Sequence, residues 1–256
     1  VDPNILHLRN LKEGGATRLS LVKDVAVDKY FVEKFLVVNI AFQKRLFENE
    51  IQVHSALHHR HIIKFVRRTA ENSFLMEYAA KGNFSLLLNV QSRPGEVLKA
   101  LGDFLKGLTY LHEKGYVHND IKPSNILLTE DRSKLADFAF SGKIGQVTFD
   151  EIPHYSMVGT DIYAPKKRGT NQVNSIQDDL YACGIILFQI FSRLASPEKI
   201  DLRKVEDLQA REIIQQCLLG EFDSVETLRS RLLAATSEKR LSDGPFSDRL
   251  GEYYEM

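Results

Sequence analysis

Between residues 118 and 139, polar side chains interrupt apolar runs at fixed offsets. The run His118-Asn119-Asp120-Ile121-Lys122-Pro123-Ser124-Asn125 leads into Ile126-Leu127-Leu128, and Lys134-Leu135-Ala136-Asp137-Phe138-Ala139 follows. If the chain doubles back there between two short strands, Asp120, Lys122 and Asn125 converge on one spot. That set suits phosphoryl transfer: a carboxylate orients a hydroxyl, an ammonium neutralises the moving phosphate, and an amide oxygen binds Mg²⁺. Asp137 supplies a second metal ligand. The plainer reading of Asp-x-Lys, a surface turn, stands beside this one.

Elements must be placed to hold these groups. The stretches Arg18–Val25 and Lys29–Val37 are rich in β-branched and aromatic residues and predict strands, as do Ile62–Arg67 and Ser73–Tyr78. Between them Leu46, Phe47, Glu50, Ile51, Val53 and Leu57 recur at helical intervals within residues 43–57. After Gly82 the character changes. Leu98, Leu101, Leu105, Leu108 and Leu111 line one face of a helix predicted over Val97–Lys114, with Gly115 placed to stop it. Leu180–Leu194 is apolar nearly all round, as in a helix buried among others. Helices are also expected over Val205–Leu219 and Ser224–Ala235, with a loosely held polar tail from Thr236. The fold expected is α+β in two lobes, residues 1–80 and 81–256, joined near Tyr78–Gly82.

Composition narrows the classes of partner. With 34 Lys and Arg against 34 Asp and Glu in 256 residues, the formal charge is zero, which argues against nucleic acid and anionic membranes. The apolar runs Phe35–Phe42 and Cys183–Phe191 are too short to span a bilayer. Two cysteines, Cys183 and Cys217, form no disulfide framework and read as reduced core residues, and Val1-Asp2-Pro3-Asn4 lacks a signal-peptide layout. The expectation is an intracellular protein, cytoplasmic or nuclear. Four histidines at 54, 58, 59 and 61 invite a metal hypothesis, but three sit where a helix is ending, and the set is read as structural.

With these motifs in order, the chain resembles a eukaryotic-type protein kinase domain across roughly residues 5–235. The run from His118 to Asn125 is similar to that family's His-Arg-Asp-Leu-x-x-x-Asn catalytic loop. The resemblance implies a small antiparallel β-sheet lobe with one main helix, called αC in the family, and a larger mostly helical lobe, with ATP between them. It implies Asp120 as the base, Lys122 on the γ-phosphoryl group, and Asn125 and Asp137 holding Mg²⁺. Lys34 (in Val32-Glu33-Lys34) matches the lysine that grips the α- and β-phosphates, and Glu50 matches its helix partner. Leu11, Gly14, Gly15 and Leu19 match the glycine-loop region, Met76, Glu77 and Ala79 the gatekeeper and hinge, and Leu127 the floor under adenine. Asp179 matches the aspartate that braces the catalytic loop. Lys122 and Gly159-Thr160 follow the serine/threonine pattern, implying a protein substrate or regulatory protein partner.

Departures from the family pattern bear on activity. Lys12 and Thr17 replace the outer two loop glycines, a change expected to weaken nucleotide binding. Asn119 replaces an arginine that usually receives an activation-loop phosphate, so turnover is expected to be independent of that modification. Ala139 replaces the glycine of Asp-Phe-Gly. Gly159–Pro165 is one residue short of the family's substrate platform, and His54 stands where an apolar side chain packs on Phe138. Lys166, where the family has glutamate, is expected to pair with Glu221 with the charges exchanged. Two alternatives therefore stay open: a pseudokinase serving as an interaction or allosteric scaffold, and a kinase of small molecules related to the aminoglycoside kinases.

Overall fold

The computed structural model describes residues 3–12, 15–88, 92–147, 161–165 and 173–242. Gly14, Gly159, Thr160 and Lys166 lie outside them, and with them the central loop glycine, the start of the shortened platform and the Lys166–Glu221 pair.

The first elements are β1 (Ile5–Lys12), β2 (Thr17–Asp24), β3 (Lys29–Leu36), α1 (Ala41–Ala56), β4 (Phe65–Ala70) and β5 (Ser73–Glu77). The strands form one five-stranded antiparallel sheet in the order β1-β2-β3-β5-β4. Alternation explains its burial: Val32, Lys34 and Leu36 point inward from β3, and the residues between them are more exposed. β4 starts three residues later than expected from Ile62. The two isoleucines are drawn out of the sheet, because Ile62 bridges Leu135 and the Ile63 N–H donates to the Leu135 carbonyl at 2.9 Å. Both are fully buried, so their apolar surface gains more there than at a sheet edge.

The rest is helical around short strands: α2 (Pro94–Glu113), β6 (Tyr116–Val117), β7 (Ile126–Leu128), β8 (Ser133–Leu135), β9 (Gly142–Lys143), α3 (Ile176–Ser192), α4 (Leu208–Leu219) and α5 (Val225–Ser242). β7 pairs with β8, and β6 with β9. Pro94 opens α2, and Gly115 turns the chain out of it at φ 80°, a conformation glycine takes without strain. In α3, Ser175 caps the first turn by accepting from the Gln177 N–H, and the helix is buried almost all round. α5 continues to Ser242, so the first seven residues of the expected loose tail are helical. Glu238, Lys239, Arg240 and Leu241 are good helix formers, and the breaker Gly244-Pro245 comes only after them.

The larger apolar core packs α2, α3, α4 and α5 on one another, with Phe104, Leu108 and Phe188 fully buried. Cys183 and Cys217 are free thiols inside it, and burial pushes the Cys217 thiol up to about 12. A smaller apolar cluster lies beneath the sheet around Val32, Phe47, Phe74 and Met76. Among the described residues no helix is long and apolar enough to cross a membrane.

Candidate active site

The loop between β6 and β7 folds as its sequence spacing requires. Pro123–Asn125 makes one tight 3-10 turn, which brings Asn125 back over Asp120. Asn125 Nδ2 donates to the Asp120 carbonyl and to Asp120 Oδ2, both at 2.9 Å. Lys122 Nζ bonds both Asp120 oxygens, at 3.0 and 2.8 Å. Burial raises the Asp120 carboxyl above its ordinary value, against the opposing pull of Lys122.

The loop is held from below. Asp179, in the first turn of α3, accepts the His118 and Asn119 N–H groups at 2.8 and 2.9 Å, and His112 Nε2 at 2.8 Å. Burial alone would raise the Asp179 carboxyl, but the His112 hydrogen bond and charge lower it overall. Asp120 N–H donates to His118 Nδ1 at 3.2 Å, so the proton of that ring sits on Nε2, aimed at the Ala136 carbonyl 3.0 Å away. His112 is a residue the motifs did not point to. Its only signal was a polar side chain among the leucines of α2, on the turn facing Asp179.

Above the loop, Lys34 bridges two carboxylates. Its Nζ lies 2.6 Å from Glu50 Oε2 and 3.0 Å from Asp137 Oδ1. Glu50 is 1% exposed, and burial lifts its carboxyl to about 7 against the pull of Lys34. Burial would lower the Lys34 ammonium, but Asp137 and Glu50 outweigh it and raise it. Desolvation would likewise raise Asp137, yet the Lys34 charge holds it down at about 2. Asp137 stays ionised over any working pH, as a cation ligand must be.

The remaining expected residues fall in two groups. Val32 and Met76 belong to the smaller apolar cluster, and Leu19, Ala79 and Leu127 pack against it, which gathers these five apolar residues in one group, with Val32 on the same strand as Lys34. Leu11 is exposed at the end of β1 and does not join that cluster. Gly15 turns at φ 75° with open space around it. Lys12 and Thr17 sit in paired strand positions opposite Leu19 and Leu36. The Glu77 side chain is tied to Lys134 Nζ at 2.6 Å and accepts the Lys64 N–H at 3.0 Å, which fixes the end of β5.

Three of the four histidines, His54, His59 and His61, have side-chain partners other than a metal, and His59 and His61 also touch each other. His54 Nε2 lies 2.5 Å from the Ile63 carbonyl, His59 stacks on Tyr110 at 4.7 Å, and His61 lies 3.3 Å from the Ser133 carbonyl. His54 is 1% exposed, with its ring 5.0 Å from that of Phe138, and Phe138 is 5.3 Å from His118. A polar ring here leaves the Lys34–Glu50 pair closed: Nε2 is matched by the Ile63 carbonyl, while the buried Nδ1 has no hydrogen-bond partner among the described residues. Desolvation drops His54 to about 4 against about 6.5 when unfolded, so its contribution to stability is complete above pH 6.5 and is lost as pH falls toward 4. Replacing it, His54→Leu, should remove about 2–3 kcal/mol of the stability lost between pH 7.5 and pH 4, as read by urea denaturation at the two pH values. His61, held down to about 4 as well, keeps the rest of that acid limb in place.

Comparison with known proteins bears on this geometry. Residues 7–243 match the protein kinase domain family, and the chain belongs to that family. It is 27% identical over 217 residues to the serine/threonine-protein kinase PLK4 of Nematostella vectensis, covering 77% of this chain and 21% of that one. It is 32% identical over 150 residues to RUNKEL of Arabidopsis thaliana (56% and 11%), and 27% over 196 residues to shk1/pak1 of Schizosaccharomyces pombe (74% and 29%). Both are serine/threonine-protein kinases. The chain therefore spans less than a third of the length of each of these relatives. The chain is thus a protein kinase domain, and that family works with ATP and Mg²⁺.

The donor set fits those ligands. Both Asn125 side-chain bonds use Nδ2, and Lys34 takes Asp137 Oδ1, so Asn125 Oδ1 and Asp137 Oδ2 are the oxygens that could take a metal. Two hard oxygens suit Mg²⁺. The Lys34 ammonium, close to that apolar group, suits the phosphates of a nucleotide.

Proposed function

We propose that the chain transfers the γ-phosphoryl group of ATP to serine or threonine hydroxyls of a protein substrate, slowly and without need of activation-loop phosphorylation. The observation that carries this reading is the convergence of Asp120, Lys122 and Asn125 on one spot, with Lys34 joining Glu50 to Asp137 above it. Asp120 takes the hydroxyl proton as the oxygen–phosphorus bond forms and the bond to the bridging oxygen of ADP breaks. Lys122 neutralises charge on the moving group. Lys34, kept in place by Glu50, holds the α- and β-phosphates, while Leu19, Val32, Met76, Ala79 and Leu127 enclose the base. Asn125 and Asp137 hold Mg²⁺, which when bound shields the phosphate charge. Residues 1–80 and 81–256 serve as the two lobes on either side of the nucleotide.

The test is thermal unfolding with ATP, with and without Mg²⁺, on the wild type and on Asp137→Asn. At ATP tenfold above its Kd, a shift of about 3–6 °C is expected in the wild type with Mg²⁺ and none in the variant. No shift at millimolar ATP would make the chain an interaction scaffold. Lys12 and Thr17 at the loop and the exposure of Leu11 favour that second reading.

A further inference from the structure

Four carbonyls shortly after Asp137 each accept from a side-chain amide. Asn49, on α1 beside Glu50, donates Nδ2 to the Ala139 and Ser141 carbonyls at 3.0 and 2.9 Å. Asn119 in the catalytic loop donates Nδ2 to the Phe140 carbonyl at 3.1 Å and to Asn174 Oδ1 at 2.9 Å. Asn174, just before α3, donates its own Nδ2 to the Lys143 carbonyl at 3.0 Å. Its backbone adds two bonds, accepting the Gly145 N–H at 3.0 Å and donating to the Gln146 carbonyl at 2.9 Å. Three elements distant in sequence thus grip one stretch of chain, and the amides that do so carry no formal charge. Asn174 is 8% exposed and Ser141 fully buried, Ala139 and Phe140 are half-buried, and Lys143 is exposed, so water replaces a lost amide least readily at Ser141 and most readily at Lys143.

We propose that Asn49, Asn119 and Asn174 are positioning residues, an uncharged staple that fixes residues 139–143 and so holds Asp137 and the catalytic loop in working geometry. The idea rests on the kinase reading above and gives it a physical basis for turnover without modification. Where a loop is ordered by an arginine and a phosphate, the order waits for that charge. Amide-to-carbonyl bonds are present as soon as the chain folds and are insensitive to salt. Asn119 is also suited by conformation: its φ of 65° lies in the left-handed region, which asparagine tolerates better than most residues. Because Asn49 adjoins Glu50, the same bonds tie the position of α1 to that of the segment after Asp137.

The test compares Asn119→Gly, Asn174→Ala, Asn174→Asp and the double variant Asn119→Gly/Asn174→Ala. Glycine keeps the left-handed backbone and removes only the amide, and alanine at 174 leaves both backbone bonds intact. Asn174→Asp still accepts from Asn119 but turns an oxygen toward the Lys143 carbonyl, so it should behave like the alanine variant. Amide hydrogen exchange over residues 139–147 should accelerate about tenfold in each variant, with the five-stranded sheet and α3 unchanged. Turnover should fall about tenfold in kcat with KM for ATP within about threefold, and the double variant should match either single one, since the two amides act as a unit. Faster exchange with kcat unchanged, or falls that simply multiply in the double variant, would overturn the proposal. An inactive wild type would sink the kinase reading. The staple would then be judged by exchange alone, and unchanged exchange would remove it.

Discussion

Asp120→Asn should lower kcat by roughly 10²–10⁴ while leaving the fold and ATP binding close to those of the wild type. Asparagine matches aspartate in shape and retains an oxygen for Lys122 Nζ, which now lies 3.0 and 2.8 Å from the two carboxylate oxygens. What disappears is the negative charge that draws the substrate proton and balances Lys122. The loop itself is held elsewhere, by Asp179 through the His118 and Asn119 N–H groups, so the loss should be one of chemistry and not of structure. Single-turnover phosphorylation of a serine/threonine peptide library, with ATP binding measured in parallel, checks this. Equal turnover in wild type and variant would remove Asp120 from the reaction.

Lys34→Met is expected to act on stability as well as on activity. Glu50 is buried, and in the folded chain its charge is matched by Lys34 at 2.6 Å. Removing the ammonium leaves an uncompensated carboxylate in the interior, which costs about 3–5 kcal/mol. Burial already lifts Glu50 to about 7, and without Lys34 to pull it down it rises further. A carboxyl raised above its unfolded value contributes most below that unfolded value and loses ground as pH rises. The deficit of Lys34→Met should therefore be small near pH 5 and grow toward pH 8, as read by urea denaturation. The double variant Lys34→Met/Glu50→Leu should recover most of the stability and none of the activity. A Lys34→Met deficit that is flat with pH would show that Glu50 is not the group left exposed to the cost.

Several features were legible in the residues alone because they rest on short-range spacing. Asp120, Lys122 and Asn125 meet because a single tight turn separates them, and that turn is written in Pro123-Ser124. The leucines of α2 and the stop at Gly115 follow from helical period and from the freedom of glycine, and four strands and five helices fell near their expected places, while β1 had no expected counterpart. The start of β4 was misjudged for a reason that spacing does not contain. Ile62 and Ile63 look like strand residues, but the burial available against Leu135 outweighs sheet pairing. The end of α5 was misjudged because polar residues were read as loose, although they are good helix formers.

By itself the sequence determined the class of chemistry, since residue type and local offset decide which groups a turn or strand can present together. It also determined the α+β layout, through two hydrophobic periods in order along the chain. Only the tertiary structure decided what long-range contact decides: that Lys34 touches both Glu50 and Asp137, that His112 helps hold Asp179, and that His54 finds a partner in the Ile63 carbonyl. The same holds for Asn49, Asn119 and Asn174, which stand far apart in the chain and have no common motif. Their shared role exists only where three elements pack around the same four carbonyls, because a buried hydrogen bond has direction and short reach and no period along the chain announces it.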